Sequence, residues 1–507
     1  MGNVKQSGSS TEMQQRGRRI ARSGGAIFAT SLLIKGSSVL ASILIARILG
    51  PFQLGEWALV TYVTGFAYIF IELGTGTASV RLIAGSREKD PARAEAFART
   101  YVKFELIVSI PILLLLTGMA PWLSGSFYRD PVLLPLFWLS ALTMFLWTLS
   151  ACYGAILQAF ERIRLLARLS LYFGLTSSLL LVFFVLLWGL IGGFVASLVA
   201  NGIQVGVYFV VLRRPKILTR PLFQLDRSAL RELMYFGLPS FGAAAFLVTF
   251  NWIGATLVTS TVGLQNLGNY TVAQRLAFVI MYIPTAIVVP FFPMASGLYE
   301  RSRDEFATTF IHTLRYTLLI VFPVTLVFSS FSRPLISFLY TDVYGGAAFV
   351  LPVTAATALL ASFLSPAGLA FYVTSAMRRQ VMLSATVFTV SIVALFALVP
   401  SLGILGFAWS MFGFYAITVA LSPLLLGKRF PDPRFRRMAA IALVLSGVVL
   451  SGGLFLARLD IGLSSLAGGI LSSVSVIIIY LKAMSARDRA FVLQMAREAL
   501  HIDRHRS

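Results

Sequence analysis

The chain has 507 residues, of which 57% are hydrophobic and only 12% charged, with a mean hydropathy of +0.83. Soluble domains carry about 25% charged residues, so an ordinary water-soluble protein is excluded. The net charge of +22 would suggest nucleic acid in a soluble chain, but here its placement points elsewhere, and no nucleic-acid partner is expected.

Residues 1–23 form a basic segment, and the first apolar stretch begins near Gly24. That stretch is far longer than a signal-peptide core and lacks a small-residue cleavage site, so it is expected to be a retained span. Gln6 stands where a myristoylation start would need Ser or Thr. Apolar runs of about 20 residues are long enough to cross a bilayer as helices. Read between charged and Gly/Pro-rich breaks, they predict six spans at 24–47, 56–80, 102–122, 132–158, 168–188 and 190–212. Six more are predicted at 236–261, 268–296, 310–330, 347–375, 380–400 and 402–427, then a last pair at 438–457 and 463–482. The expected fold class is an all-α integral membrane protein with fourteen transmembrane helices.

Lys and Arg fix the expected topology. With a cytoplasmic N-terminus, the inside segments hold 36 of the 42 basic residues, and the outside loops hold only Arg129, Arg333 and Arg458. One missed span would reverse every later loop, so this asymmetry is a topology signal. Both termini are expected inside. Segment 213–235 then joins two halves in the cytoplasm, with Ser228–Leu233 expected as a short interfacial helix. The tail 484–507 places Phe491, Val492, Met495, Ala499 and Ile502 at helical spacing. It reads either as an amphipathic helix on the membrane or as a solvated charged tail.

The two halves repeat each other. Gly50-Pro51-Phe52-Gln53-Leu54-Gly55-Glu56-Trp57 returns as Gly263-Leu264-Gln265-Asn266-Leu267-Gly268-Asn269-Tyr270. Pro111 returns as Pro323, Tyr128 and Asp130 as Tyr340 and Asp342, and Gly189-Leu190-Ile191-Gly192 as Gly403-Ile404-Leu405-Gly406. Six spans per repeat is an even number, so the halves enter the bilayer from the same side, related by an axis along its normal. The expected domains are lobes at 24–212 and 236–427, a linker at 213–235, and an added helix pair at 428–483. Two like halves in a membrane usually move something between them.

No enzyme signature is present. His312, His501 and His505 make no HExxH motif, the single cysteine Cys152 lies in an apolar segment, and loops of about 20 residues leave no room for a catalytic domain. No metal or cofactor is expected. The informative residues are ionisable side chains at membrane depth. Lys35 lies about 11 residues into the first span, roughly 16 Å deep. A charge there costs about 2.5–3.5 kcal/mol unless it meets a counter-ion or a wet cavity. Glu72 lies at nearly matching depth, so a Lys35–Glu72 pair would be either a packing device or a charge pair that substrate or a proton can break. Arg275, beside Gln274, sits inside the outer end of the eighth span, and Arg47 ends the first, where a helix-end Arg readily snorkels to head groups. Arg81 and Arg315 are either topology charges or an inner rim that attracts anions. Asn251 occupies the repeat position of Ser38, and Glu105 reads as interfacial. Basic groups at depth suit an anionic substrate such as a phosphate or pyrophosphate head group.

The segment Ile45–Trp57, the Gly-x-x-Gly pairs and Phe236-Gly237-Leu238-Pro239-Ser240 resemble polysaccharide-biosynthesis flippases. These are the O-antigen and teichuronic-acid exporters of the multidrug/oligosaccharidyl-lipid/polysaccharide superfamily. The resemblance implies two pseudo-symmetric six-helix lobes around a central cavity, plus the terminal pair. It also implies alternating-access movement of a polyprenyl-pyrophosphate-linked oligosaccharide out of the cytoplasmic leaflet. Lys35 and Arg275, with Arg47, Arg81 and Arg315 around them, would meet the pyrophosphate. Glu72 would couple an ion, Asn251 and Gln274 would line the cavity, and the terminal pair would hold the polyprenyl tail. A glycan polymerase or glycosyltransferase complex is the implied partner. The alternatives are a drug or metabolite antiporter of the same superfamily, a lipid II flippase, and a non-transporting scaffold. The antiporter would prefer acidic cavity residues, and the dense arginines associated with lipid II flippases are missing from the first helix.

Overall fold

The computed structural model describes residues 4–160, 162–213, 226–374, 376–426, 432–459 and 467–470. Among these residues every regular element is helical. In chain order they are α1 (Val4–Glu72), α2 (Thr75–Ser86), α3 (Pro91–Trp122), α4 (Leu133–Ala159), α5 (Ile163–Arg213), α6 (Arg227–Val262) and α7 (Leu264–Phe278). There follow α8 (Tyr282–Arg301), α9 (Arg303–Ser330), α10 (Ser332–Tyr340), α11 (Gly345–Val373), α12 (Met377–Leu402), α13 (Ile404–Leu426) and α14 (Pro433–Leu456). Eleven segments among the described residues are long and apolar enough to cross a membrane. Two of them, Leu33–Ser86 and Leu165–Leu212, each hold two of the expected spans. The last expected span, 463–482, lies mostly outside the described residues, as does the tail 484–507.

Those two long segments turn at glycine. Gly50 takes φ 72°, ψ 173° and Gly189 takes φ 57°, ψ −135°, backbone that a Cβ would strain. The duplication read from the sequence reappears in these angles. Gly263 has φ 89°, ψ 167°, and Gly403 has φ 59°, ψ −130°, each close to its counterpart. Arg129 and Thr341, also repeat partners, both adopt positive φ (56° and 74°). The second glycine of each Gly-x-x-Gly has its own reason. A Cβ on Gly192 would overlap the carbonyl of Phe184, and one on Gly406 would overlap that of Leu398.

Two expectations are corrected. The second span is not continuous: α1 stops at Glu72, Leu73 (φ 40°) and Gly74 (φ 74°) turn the chain, and α2 starts at Thr75. Residues 228–233 are not a separate interfacial helix but the first turns of α6. Asp226 caps that helix, accepting bonds from the backbone of Ser228 (2.8 Å) and Ala229 (3.3 Å) and from the Ser228 hydroxyl (2.7 Å). These bonds, led by the one from the Ser228 hydroxyl, hold the Asp226 carboxyl below the usual aspartate range. Glu105, expected near the inner end of its span, is buried, being only 2% exposed. It shares the inward face of α3 with Ala98, Tyr101, Val102 and Ser109, all buried, at the spacing of a helix stripe.

The helices group into two compact units, residues 1–271 with 380–392, and residues 272–379 with 393–507. In the first, α1 packs on α4, α5 and α6. Hydroxyls tie elements together there, as between the buried Thr64 and Ser140 (2.5 Å), and the half-buried Tyr128 and Thr256 (3.0 Å). Such bonds contribute about 0.6 kcal/mol each in membranes. Trp252 of α6 stacks on Phe66 of α1 with centroids 4.3 Å apart. In the second unit α11 is central and lies against α9, α13 and α14. Its run of Ala, Gly and Thr lets neighbouring backbones approach closely. Helix α14 docks through Phe435, which stacks on Phe363, and through Val449, whose carbonyl accepts from Ser329 (2.7 Å). Outward-facing residues such as Leu114, Leu115, Leu179 and Leu186 are apolar and exposed, as lipid contact requires.

Candidate functional site

The break between α1 and α2 gathers a polar cluster in the first unit. Ending α1 at Glu72 frees backbone groups at membrane depth, where irregular chain survives only inside protein or along water. Here it is enclosed. The Thr75 hydroxyl lies 2.5 Å from the carbonyl oxygen of Glu72 and also bonds the Glu105 carboxylate. Gly76 lets these groups close in tightly. A Cβ at that position would sit 3.3 Å from both Glu72 Oε1 and the Tyr101 hydroxyl. Glu72 and Glu105 lie close enough to feel each other's charge, as Tyr68 feels both. Tyr101 also bonds Cys152, which is fully buried. Two carboxyls, two phenols and a hydroxyl around a broken helix can hold a proton or change with one.

Of this cluster the sequence assigned a functional role only to Glu72. Glu105 and Tyr101 carried a signal, since both fall on the buried stripe of α3. Thr75 carried none before the break itself was known.

A second carboxyl pair lies at the other end of this part of α1. Glu56, in the repeated Gly50–Trp57 segment, is 2% exposed and in hydrogen-bond contact with Asp130. Asp130 is held by the loop after α3, where its backbone N–H donates to the carbonyl of Ser124 (2.7 Å) and its side chain accepts from the N–H of Val132 (3.1 Å). Sequence reasoning missed this pair too, although both residues lie in segments that are visibly repeated.

The expected cations are distributed along the chain. Lys35 is half-buried on α1, next to Ile34 and Ser37, which contact Gly174 and Ser178 of α5. Arg47 is exposed between exposed Leu44 and Ile48. Arg81 is exposed on α2 with its guanidinium 4.8 Å over the Phe236 ring. Near it, Arg93 donates to Glu232 (2.6 Å), tying α3 to α6. Asn251 is half-buried and spends its amide on its own helix, donating to Leu247 (2.9 Å). In the second unit Arg275 and Arg315, with Gln274, are all half-buried. Arg275, in the last turn of α7, lies within electrostatic reach of the buried Tyr344. Among the described residues no cluster of His, Cys, Asp and Glu is arranged to hold a metal ion.

A family model described as "Polysaccharide biosynthesis protein" matches residues 44–349. No curated protein matches the chain. Among solved structures, the lipid II flippase MurJ in an inward closed conformation aligns with TM-score 0.68 at 13% identity, covering 90% of this chain and 99% of that one. An inward-facing multidrug resistance MATE family transporter of the MOP superfamily aligns at 0.61 and 16% identity, over 83% and 95%. An outward-facing structure with the same family description aligns at 0.56 and 16% identity, over 88% and 96%. The expected MATE-like and lipid-flippase-like helical fold is therefore the fold observed.

Proposed function

The chain belongs to the polysaccharide biosynthesis protein family, and on that premise we propose that it is a flippase for a polyprenyl-(pyro)phosphate-linked oligosaccharide. It moves this substrate across the cytoplasmic membrane by alternating access, for a cell-surface polysaccharide. The family match over residues 44–349 carries the reading. It is supported by basic side chains at membrane depth, since a half-buried Lys35 or Arg275 is costly unless it meets an anion or water.

In this reading 24–212 and 236–427 are the two lobes, 213–235 joins them, and the 428–483 pair takes the lipid tail. Both termini lie in the cytoplasm. Lys35 and Arg275 bind the pyrophosphate, Arg81 and Arg315 draw it to the cytoplasmic mouth, and Arg47 receives it at the outer end of the first span, just before Gly50. Asn251 and Gln274 line the path. Glu72, together with Glu105, carries the coupling charge, and the partner complex supplies and consumes the glycan.

The test is export in cells that depend on this protein. Lys35→Ala and Arg275→Ala should each abolish surface glycan and accumulate the lipid-linked precursor, with normal amounts of protein in the membrane. Full export by the double variant would remove both residues from the site. Accumulation of a cell-wall precursor instead would identify a lipid II flippase, and altered drug susceptibility with normal glycan would identify an antiporter.

A further inference from the structure

We propose that the two copies of the repeated segment, Gly50–Trp57 and Gly263–Tyr270, form a self-complementary seal, and that this seal is the outer gate of the transport path. The direction of opening rests on the flippase reading above; the seal itself rests on geometry.

The contact is reciprocal. Gly55 lies so close to Leu264 that a Cβ would overlap its carbonyl, and Gly268 lies equally close to the carbonyl of Pro51. Gly55 and Gly268 are repeat partners, and so are Pro51 and Leu264. Exchanging the copies therefore maps the contact onto itself, as in a twofold interface. Backbone meets backbone on both sides, leaving no room for a side chain or a water between them. Small residues permit such approaches between membrane helices. This explains why the glycines of the segment are duplicated. Gly50 and Gly263 supply the positive φ that turns each chain into the contact, and Gly55 and Gly268 make the contact itself.

The seal also has a built-in cost. Asn269 is 6% exposed and its side-chain carbonyl oxygen accepts no hydrogen bond. A buried acceptor left dry favours any state in which water reaches it. Parting the two copies would hydrate it, so the closed contact is poised against opening. An alternating-access carrier needs such a contact, firm enough to exclude water yet released by a modest free-energy bias.

The experiment places a single reporter, Asn269→Cys, in a Cys152→Ala background and measures labelling of intact cells by a membrane-impermeant maleimide. Ser126→Cys, exposed in the π-helical turn that follows α3, serves as the orientation reference. The reporter should label slowly, and adding Gly55→Ala should speed it about tenfold by propping the seal open. Cells making the lipid-linked glycan should also label faster than cells that lack it, with both glycines intact. The proposal falls if Gly55→Ala, present at normal abundance, leaves the rate unchanged. It also falls if Asn269→Cys never reacts in a protein that exports glycan. Should Ser126→Cys react only in inverted vesicles, the reading of direction fails instead. The same pair of rates measured on those vesicles then decides the seal.

Discussion

Gly74→Ala separates two costs that the structure places at one residue. Gly74 has φ 74°, ψ 6°, left-handed backbone that costs an L side chain about 1–2 kcal/mol. Its new methyl would also overlap the carbonyl of Gly237 on α6, and forced overpacking adds about 1–3 kcal/mol. Together the loss should be about 2–5 kcal/mol. Two single substitutions bracket it. Gly50→Ala meets nothing within 4 Å and carries backbone strain alone, about 1–3 kcal/mol. Gly237→Ala sits in helical backbone, and its methyl would meet the turn residues Leu73 and Gly74 at 3.0 Å, a steric cost of about 1 kcal/mol. The assay is thermal unfolding of the purified protein in detergent, followed by tryptophan fluorescence. Gly74→Ala should have the lowest midpoint of the three, and its effect should not add to that of Gly237→Ala, because the two share one contact. Strict additivity, or a Gly74→Ala midpoint above that of Gly50→Ala, would refute the close approach of α6 to the break.

Other consequences follow from the caps and carboxyls. Asp226→Ala should cost about 1 kcal/mol of local helix stability at the start of α6, and Asp226→Asn almost none. Because the folded carboxyl titrates below its unfolded value of about 3.9, its contribution is complete above that pH and is lost as pH falls through the lower native value. Hydrogen exchange at Ser228 and Ala229 should accelerate only in that acid window, and a rise near neutrality would contradict the cap. A carboxyl–carboxyl contact holds only with a proton between the oxygens, so Glu56→Gln should export glycan within about twofold of wild type while Glu56→Leu should not. Equal export by both would dismiss the Asp130 contact. Glu105→Gln can still accept from Thr75 and should reach normal membrane abundance, whereas Glu105→Lys puts an unpaired charge among buried residues and should not accumulate. Immunoblots of membranes read the difference.

The parts of the fold that were legible are those set by composition and by single residues. Lipid demands apolar helices, so the spans could be read from length alone, and a turn with positive φ demands glycine, so Gly50, Gly189, Gly263 and Gly403 marked real corners. The break at Leu73-Gly74 was not legible. No proline stands there, and Leu73 adopts φ 40° against its own preference. The close approach of Gly237, far along the chain, is what favours the turn, and no local pattern encodes it. The start of α6 was hidden for a different reason. Residues 213–235 read as a linker holding a short separate helix, yet Glu232 lies in the first turns of α6 and pairs with Arg93 of α3. The burial of Glu105 was hidden behind its charge near the end of a span, although it stands on the stripe of Ala98, Tyr101 and Ser109. In the second unit Arg275 was expected inside a span and Arg315 as a topology charge or an inner rim, and both are half-buried.

The two copies have kept the same corners while dividing the chemistry unequally. At the repeat offset, Glu56 becomes Asn269, Glu72 becomes Thr285, and Glu105 becomes Thr317. Each neutral replacement donates to a carbonyl four residues back on its own helix or the turn leading into it: Asn269 to Gln265, Thr285 to Met281, Thr317 to Thr313. In the first copy the corresponding carboxyls reach other elements instead, Glu56 to the loop at Asp130 and Glu105 to Thr75 of α2. A hydroxyl satisfied within its own helix, as at Thr285 and Thr317, moves with that helix and senses nothing. A side chain bonded across elements changes its partners when either element moves or when a proton comes or goes. Backbone symmetry therefore supplies matching corners in both halves, while at these three positions only the first keeps a carboxyl. On this argument, neutralising Glu72 or Glu105 should uncouple transport, while substituting Thr285 or Thr317 with Val should leave coupling intact.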